Sequence, residues 1–160
     1  MDRAGIIAAF ADVFDEALVF HGYTPQLRDY DLYVYVHAPT GSGRDPVHMR
    51  YRFTHCVVAE ARTAIAPEIW RRSLDERLLD HRAALEADLD GYVWGVEWQV
   101  LYPGLTLLDR SDDAERWAAE VGITFHEAQV ATNGHDLRLV FSDLVVAEVE
   151  PRHVPFRVSD

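Results

Sequence analysis

The sequence predicts an α+β fold: an antiparallel or mixed sheet of about five or six strands with two to three helices packed on one face. Stretches in which apolar and polar residues alternate indicate strands, and stretches with an apolar residue every three or four positions indicate helices. Between two alternating stretches, Asn133-Gly134 predicts a tight hairpin. No repeat or long linker interrupts the 160 residues, so we expect one domain over residues 1–160.

The first part of the chain is expected to form one helix and two strands. Apolar residues between Ile6 and Leu18 recur at helical spacing, and Gly22 is expected to stop the helix. Residues 30–37 and 48–61 alternate as strands do, and the segment between them is rich in glycine and proline, which favours a loop.

The middle of the chain is expected to be helical and then extended. Pro67 fits the first turn of a helix that runs toward residue 90. Ser73 and Glu76 have the spacing of a capping box, so this region is either one helix or two. Residues 91–102 then alternate as a strand.

The last third is expected to contain a helix followed by a long hairpin. After a short strand over residues 105–108, Asp112 with Glu115 three residues later is the expected N-cap of a helix that stops at Gly122. Strands over residues 123–131 and 137–149 follow. The alternation changes side within the second strand, which predicts a bulge near Ser142-Asp143.

The composition excludes several kinds of chemistry. All 15 basic residues are arginine, so no lysine can form a Schiff base or serve a phosphate-binding loop or a kinase-type site. Cys56 is the single cysteine, which excludes an internal disulfide, a thiolate zinc cluster and an iron–sulfur site. We expect Cys56 to be a buried, inert thiol in a cytoplasmic protein that carries no cofactor.

The charge balance indicates the kind of partner. Asp and Glu number 27, which gives a formal net charge of −12. Such a surface repels nucleic-acid phosphates and favours association with basic proteins. No uncharged stretch approaches the roughly 20 residues that cross a bilayer. We therefore expect neither a nucleic acid nor a membrane as partner.

The eight histidines give no metal-ligand spacing. His126-Glu127 begins like a zinc-protease signature, but that signature needs a second histidine where this chain has Val130. The sequence therefore predicts neither a metal site nor catalytic residues, and His126 remains a candidate binding residue.

A group of charged residues lies near the first predicted strands. Arg28 and Asp29 precede the first strand, and Arg50 and Arg52 lie in the next. They could hold an anionic ligand through bidentate guanidinium contacts, or they could be structural ion pairs on the sheet. A small-molecule or enzymatic site in this region would also use histidines from elsewhere in the chain: His21, His55 and His126.

Trp94, Trp98 and Tyr102 share one side of the strand predicted over residues 91–102. Such a stripe is typical of core packing under helices. It could instead line an apolar ligand pocket or form an exposed protein-binding patch.

Several phrases together carry a family resemblance: His21-Gly22-Tyr23, Arg28-Asp29-Tyr30, Arg50-Tyr51-Arg52-Phe53, Trp70-Arg71-Arg72-Ser73-Leu74-Asp75, Gly91-Tyr92-Val93-Trp94-Gly95-Val96 and Leu139-Val140-Phe141-Ser142-Asp143-Leu144. In this order they resemble the YxiG-like domain proteins of Gram-positive bacteria over nearly the whole chain. The resemblance implies no catalytic residues, because the family has no agreed set. Some members look like neighbours of toxin genes, which by association implies an immunity-like or accessory role.

Three functional hypotheses follow. The first is a non-catalytic protein whose acidic surface docks a basic protein, such as a nuclease toxin. The second is a small-molecule-binding, anion-binding or enzymatic domain that uses the His/Arg/Asp group near the first strands. The third is a homo-oligomer in which a sheet edge or the tryptophan face pairs with itself.

Overall fold

The computed structural model describes residues 1–38, 43, 45–67, 86, 99–150 and 153. In chain order, the elements of this part are α1 (Arg3–Ala11), β1 (Ala17–Tyr23), β2 (Tyr30–Val36), β3 (Val47–Thr54), β4 (Val58–Thr63), β5 (Gln99–Val100), β6 (Gly104–Leu107), α2 (Asp112–Val121), β7 (His126–Ala131), β8 (His135–Phe141) and β9 (Asp143–Val149).

The strands form two antiparallel sheets rather than the one that the sequence predicts. One sheet has five strands in the order β5-β1-β2-β3-β9, and the other has four in the order β4-β8-β7-β6. A mostly antiparallel fold with helices is thus confirmed, while the prediction of a single sheet is wrong. Apart from Pro67 and Glu86, the region of the helix or helices expected from Pro67 toward residue 90 lies outside the described residues, as do residues 91–98 of the next predicted strand.

Two predicted strands each divide between the sheets. The strand expected over residues 48–61 stops at Thr54, passes through His55 in a left-handed conformation (φ 46°), and resumes as β4 in the other sheet. The bulge expected near Ser142-Asp143 is the second corner, where β8 ends and β9 begins. The Ser142 N–H donates to the Thr54 carbonyl at 2.9 Å, so the corners lie side by side. Corners of this kind let strands switch sheets in a sandwich.

The N-terminal helix is shorter than predicted. It begins at the Asp2 cap and ends at Ala11. Of the residues expected to complete it, 12–15 form a turn, and those from Ala17 onward form β1, which lies between β2 and β5. The apolar run over residues 17–20 fits a helix and a strand equally well when read alone. Pairing with β2 decides the matter, because both strands then satisfy their backbone hydrogen bonds.

The β7–β8 hairpin is confirmed, but its turn is built differently from the expectation. Neither Asn133 nor Gly134 has the positive φ that a tight Asn-Gly turn requires. Instead, the Thr132 hydroxyl accepts hydrogen bonds from the N–H groups of Gly134, at 3.0 Å, and His135, at 2.8 Å.

The second helix agrees with the sequence to within one residue. Its N-cap is Ser111 rather than Asp112, and the Ser111 hydroxyl accepts from the Ala114 N–H at 3.1 Å. Gly122 ends the helix at φ 80°, as predicted.

The main core lies between the two sheets, and α1 adds Ile6 and Phe10 to it. Phe53 is fully buried, and its ring packs against Phe10 and Phe141 at centroid distances of 6.1 and 4.8 Å. A smaller apolar cluster joins α2 to the opposite face of the four-stranded sheet. Among the described residues, no helix is both long and apolar enough to cross a membrane.

Candidate functional site

Three of the predicted site residues meet where the β1–β2 loop touches the corner between β3 and β4. Asp29 is buried, and its Oδ1 accepts from Arg28 Nε at 3.2 Å and from the His55 backbone N–H at 3.0 Å. The Arg28 carbonyl accepts from the Cys56 N–H at 2.8 Å. Burial opposes ionisation of Asp29, but the hydrogen bonds from Arg28 and His55 outweigh it and lower the pKa of this carboxyl. Asp29 therefore fixes both Arg28 and His55.

An apolar groove of about 350 Å³ opens beside this cluster, between the β1–β2 loop, the corner and the end of α2. We call it the corner groove; it is lined by Leu27, Arg28, His55, Cys56, Val57, Val121, Ile123 and Phe125. Leu27 is 75% exposed, and Val121 and Ile123 are also exposed. The groove thus combines apolar walls with two side chains that can carry positive charge.

Two backbone positions of the corner groove adopt a conformation that L-residues disfavour. Leu27 has φ 58° and His55 has φ 46°. A left-handed conformation costs a residue with a side chain about 1–2 kcal/mol. Backbone strain of this kind clusters at functional sites and ligand clamps.

The remaining predicted arginines lie on the outer face of the five-stranded sheet. Arg52 bonds through Nε and Nη2 to the two oxygens of the buried Asp31, both at 2.8 Å, and the Tyr33 hydroxyl donates to the same carboxylate at 3.2 Å. This bidentate geometry is that of a structural ion pair. The Arg50 Nε is buried and has no hydrogen-bond partner within the described residues.

Two predicted histidines lie away from the corner groove. Nδ1 of His21 is 2.7 Å from the Tyr30 hydroxyl oxygen, and burial, followed by repulsion from His135, lowers the pKa of His21. Burial likewise lowers the pKa of His126, which lines a separate cavity of about 570 Å³ with Arg3. Trp94 and Trp98 lie outside the described residues.

The described residues contain no group of three or more His, Cys, Asp or Glu side chains that could hold a metal ion. The predicted polar residues therefore divide among the corner groove, the Asp31–Arg52 pair and two further cavities. They do not surround one common centre in this part of the chain.

Sequence reasoning missed a partly buried ionic network beneath α2, centred on the buried Glu127. Arg138 bonds to both oxygens of Glu127, at 2.7 Å from Nε and 3.0 Å from Nη2, and also pairs with Asp113 of α2. The Ser111 hydroxyl donates to Glu127. The sequence contained a signal for this pair. In a hairpin that turns at Asn133-Gly134, the register places Glu127 and Arg138 on the same face of the sheet.

A second surface, the α1 face, is apolar although it is exposed. We define it by Ile7, Ala11, Phe14 and Tyr102. The rings of Phe14 and Tyr102 lie 5.7 Å apart and are 56% and 60% exposed. Along the chain, Asp2 precedes α1, and Asp12 and Asp15 follow it; all three are exposed.

Comparison with known protein families gives a match over nearly the whole chain. A family model described as YxiG-like protein matches residues 2–159. No significant match to a curated protein or to a solved structure was found.

Proposed function

Starting from the fact that this chain belongs to the YxiG-like protein family, whose description names no reaction, we propose that the protein acts by binding a basic protein partner and catalyses nothing itself. The family resemblance suggests a specific form of this proposal. In it, the protein has an immunity-like or accessory role in the cytoplasm, and its partner is a basic toxin. The buried, free Cys56 is consistent with that compartment.

The α1 face is the observation that carries the proposal. Protein interfaces combine an apolar, aromatic centre with a polar rim, and Tyr and Phe are enriched at that centre. Here the exposed rings of Phe14 and Tyr102 form the centre, and Asp2, Asp12 and Asp15 supply carboxylates at either end of α1. A partner that presents apolar side chains among arginines or lysines would complement both features.

The distribution of ion pairs supports an acidic docking surface. Six of the described arginines pair with carboxylates of the chain itself: Arg3, Arg28, Arg52, Arg110, Arg116 and Arg138. Since Asp and Glu outnumber arginine by 27 to 15, a surplus of carboxylates remains for contact with a partner. Asp12 and Asp15 enter no ion pair with another described residue.

The proposal is tested with two matched variants. The wild-type protein, Phe14→Asp and Ile123→Asp are immobilised and exposed to cell lysate at low and moderate salt. Ile123 is an exposed apolar residue of the corner groove, so it controls for the mere addition of a carboxylate. We expect the wild type and Ile123→Asp to retain a basic protein that Phe14→Asp does not retain. The retained protein is then identified, purified and titrated.

Three results would contradict the proposal. One is recovery of no protein at either salt concentration. Another is equal capture by Phe14→Asp, which would remove the α1 face from the interface. The third is a wild-type dimer in sedimentation equilibrium that Phe14→Asp dissociates, because the occupant of the α1 face would then be a second copy of this chain.

A further inference from the structure

We infer that the corner groove is a binding site for a small apolar carboxylic acid, such as a medium-chain fatty acid. This site is separate from the α1 face and does not depend on a protein partner. Its volume of about 350 Å³ lies at the lower end of the range for small-molecule pockets, which favours a ligand of modest size.

The apolar part of the ligand would lie against the end of α2. Val121 and Ile123 are exposed at the groove, and Phe125 and Val57 belong to the apolar cluster that forms its floor. An acyl chain in the groove would remove this apolar surface from water, which is favourable in proportion to the area covered. Nothing in this wall is charged.

The carboxylate would lie at the opposite side, beside Arg28 and His55. The Arg28 side chain is 64% exposed and uses Nε to bond Asp29, and its two terminal nitrogens make no hydrogen bond to another described residue. A carboxylate is the natural partner of that free edge. The His55 side chain is also exposed, with Nδ1 2.8 Å from Ser142 Oγ.

The charges around the groove fix the orientation of the ligand. Carbonyl groups at the C-terminal end of α2 carry partial negative charge and repel an anion, which disfavours a carboxylate beside Val121. The described residues that line the groove include no carboxylate. Asp29 bonds Arg28 through Nε, so the terminal nitrogens of Arg28 remain available to a second anion.

The Asp29 side chain holds both residues that would face the ligand's carboxylate, Arg28 and His55. Asp29 bonds the side chain of Arg28 and the backbone of His55, and the strained backbone of His55 and Leu27 persists although it is unfavourable. A loop held in this way is organised before a ligand arrives, which reduces the entropy lost on binding. Asp29 is therefore a positioning residue.

The test is calorimetric titration of the full chain with sodium decanoate below its micelle concentration, beside decanol and acetate. A charge-assisted hydrogen bond contributes enough to change affinity about tenfold to a hundredfold. We expect saturable binding of decanoate, binding of decanol at least about tenfold weaker, and none of acetate. Arg28→Met, which retains the length of the stem, should weaken decanoate about tenfold or more and leave decanol unchanged.

Matched variants locate the site. Arg62→Met removes an exposed arginine of β4 and should change nothing, whereas Leu27→Asp places a repelling charge at the groove and should weaken decanoate. Phe14→Asp should leave decanoate binding intact, so this test and that of the α1 face fail independently. The inference is overturned if decanoate does not saturate, if decanol binds as well, or if Arg28→Met has no more effect than Arg62→Met.

Discussion

The partly buried network beneath α2 should be sensitive to the loss of Arg138. Arg138 supplies two hydrogen bonds to Glu127, whose side chain is 7% exposed. In Arg138→Met the methylene stem remains, but Glu127 keeps only the Ser111 hydroxyl as a partner among the described residues. Removing one member of a buried ion pair costs about 3–5 kcal/mol, because the other charge stays buried. We expect Arg138→Met to lose about 2–3 kcal/mol of unfolding free energy at pH 7, less than for a fully buried pair, because the Arg138 side chain is 24% exposed.

The dependence of this loss on pH provides a sharper test. In the wild type, the Glu127 pKa is lowered, because hydrogen bonds from Arg138 and Ser111 outweigh burial. A lowered folded-state pKa stabilises the fold above the unfolded pKa, and this contribution disappears as the pH falls through the folded value. Without Arg138, burial dominates and raises the Glu127 pKa, so the variant gains stability as the carboxyl becomes protonated. The difference between variant and wild type should therefore shrink from pH 7 to about pH 4.

The measurement is urea unfolding followed by circular dichroism at both pH values. Arg110→Met is the control, since its pair with Glu115 is exposed, spans 3.6 Å and should contribute almost nothing. Arg138→Met combined with Glu127→Met should recover most of the loss, because no buried charge is then left alone. A loss below about 1 kcal/mol at pH 7, or an equal loss at both pH values, would refute this account of the network.

Three further changes test other parts of the fold. Phe53→Ala should cost about 3–5 kcal/mol in urea unfolding, because a fully buried ring is lost from between Phe10 and Phe141; a cost below about 1 kcal/mol would mean that the sheets do not meet there. Gly122→Ala should cost about 1–2 kcal/mol through its left-handed φ of 80°, with no steric contact involved, and an unchanged melting temperature would contradict this. Burial raises the pKa of the Cys56 thiol to about 12, so a disulfide reagent at pH 8 should label Cys56 rapidly only in urea; rapid labelling without urea would show an open site.

Local sequence signals predicted those features whose cause is local. The end of α2 at Gly122 follows from the freedom of glycine to adopt a positive φ, and the β7–β8 hairpin follows from the turn residues between two alternating segments. Even there the turn differs, because the Thr132 hydroxyl organises it.

The candidate site was predicted in its residues but not in its grouping. Arg28 and Asp29 are neighbours in sequence, whereas His55 joins them only because β2 and β3 pair and the corner after Thr54 turns toward the loop. His21 and His126 were expected with them, but their strands place each in a separate cavity.

The sequence by itself determined the chemical inventory: a strongly acidic chain with arginine as its only basic residue type and one thiol. Tertiary structure alone decided that the predicted sheet is two sheets, which exchange strands at His55 and Ser142. The physical reason is that alternation records which side chains face the core. Both sheets face the same core, so the pattern continues through the corner at His55 without showing it, and the change of side at the Ser142 corner resembles an ordinary bulge.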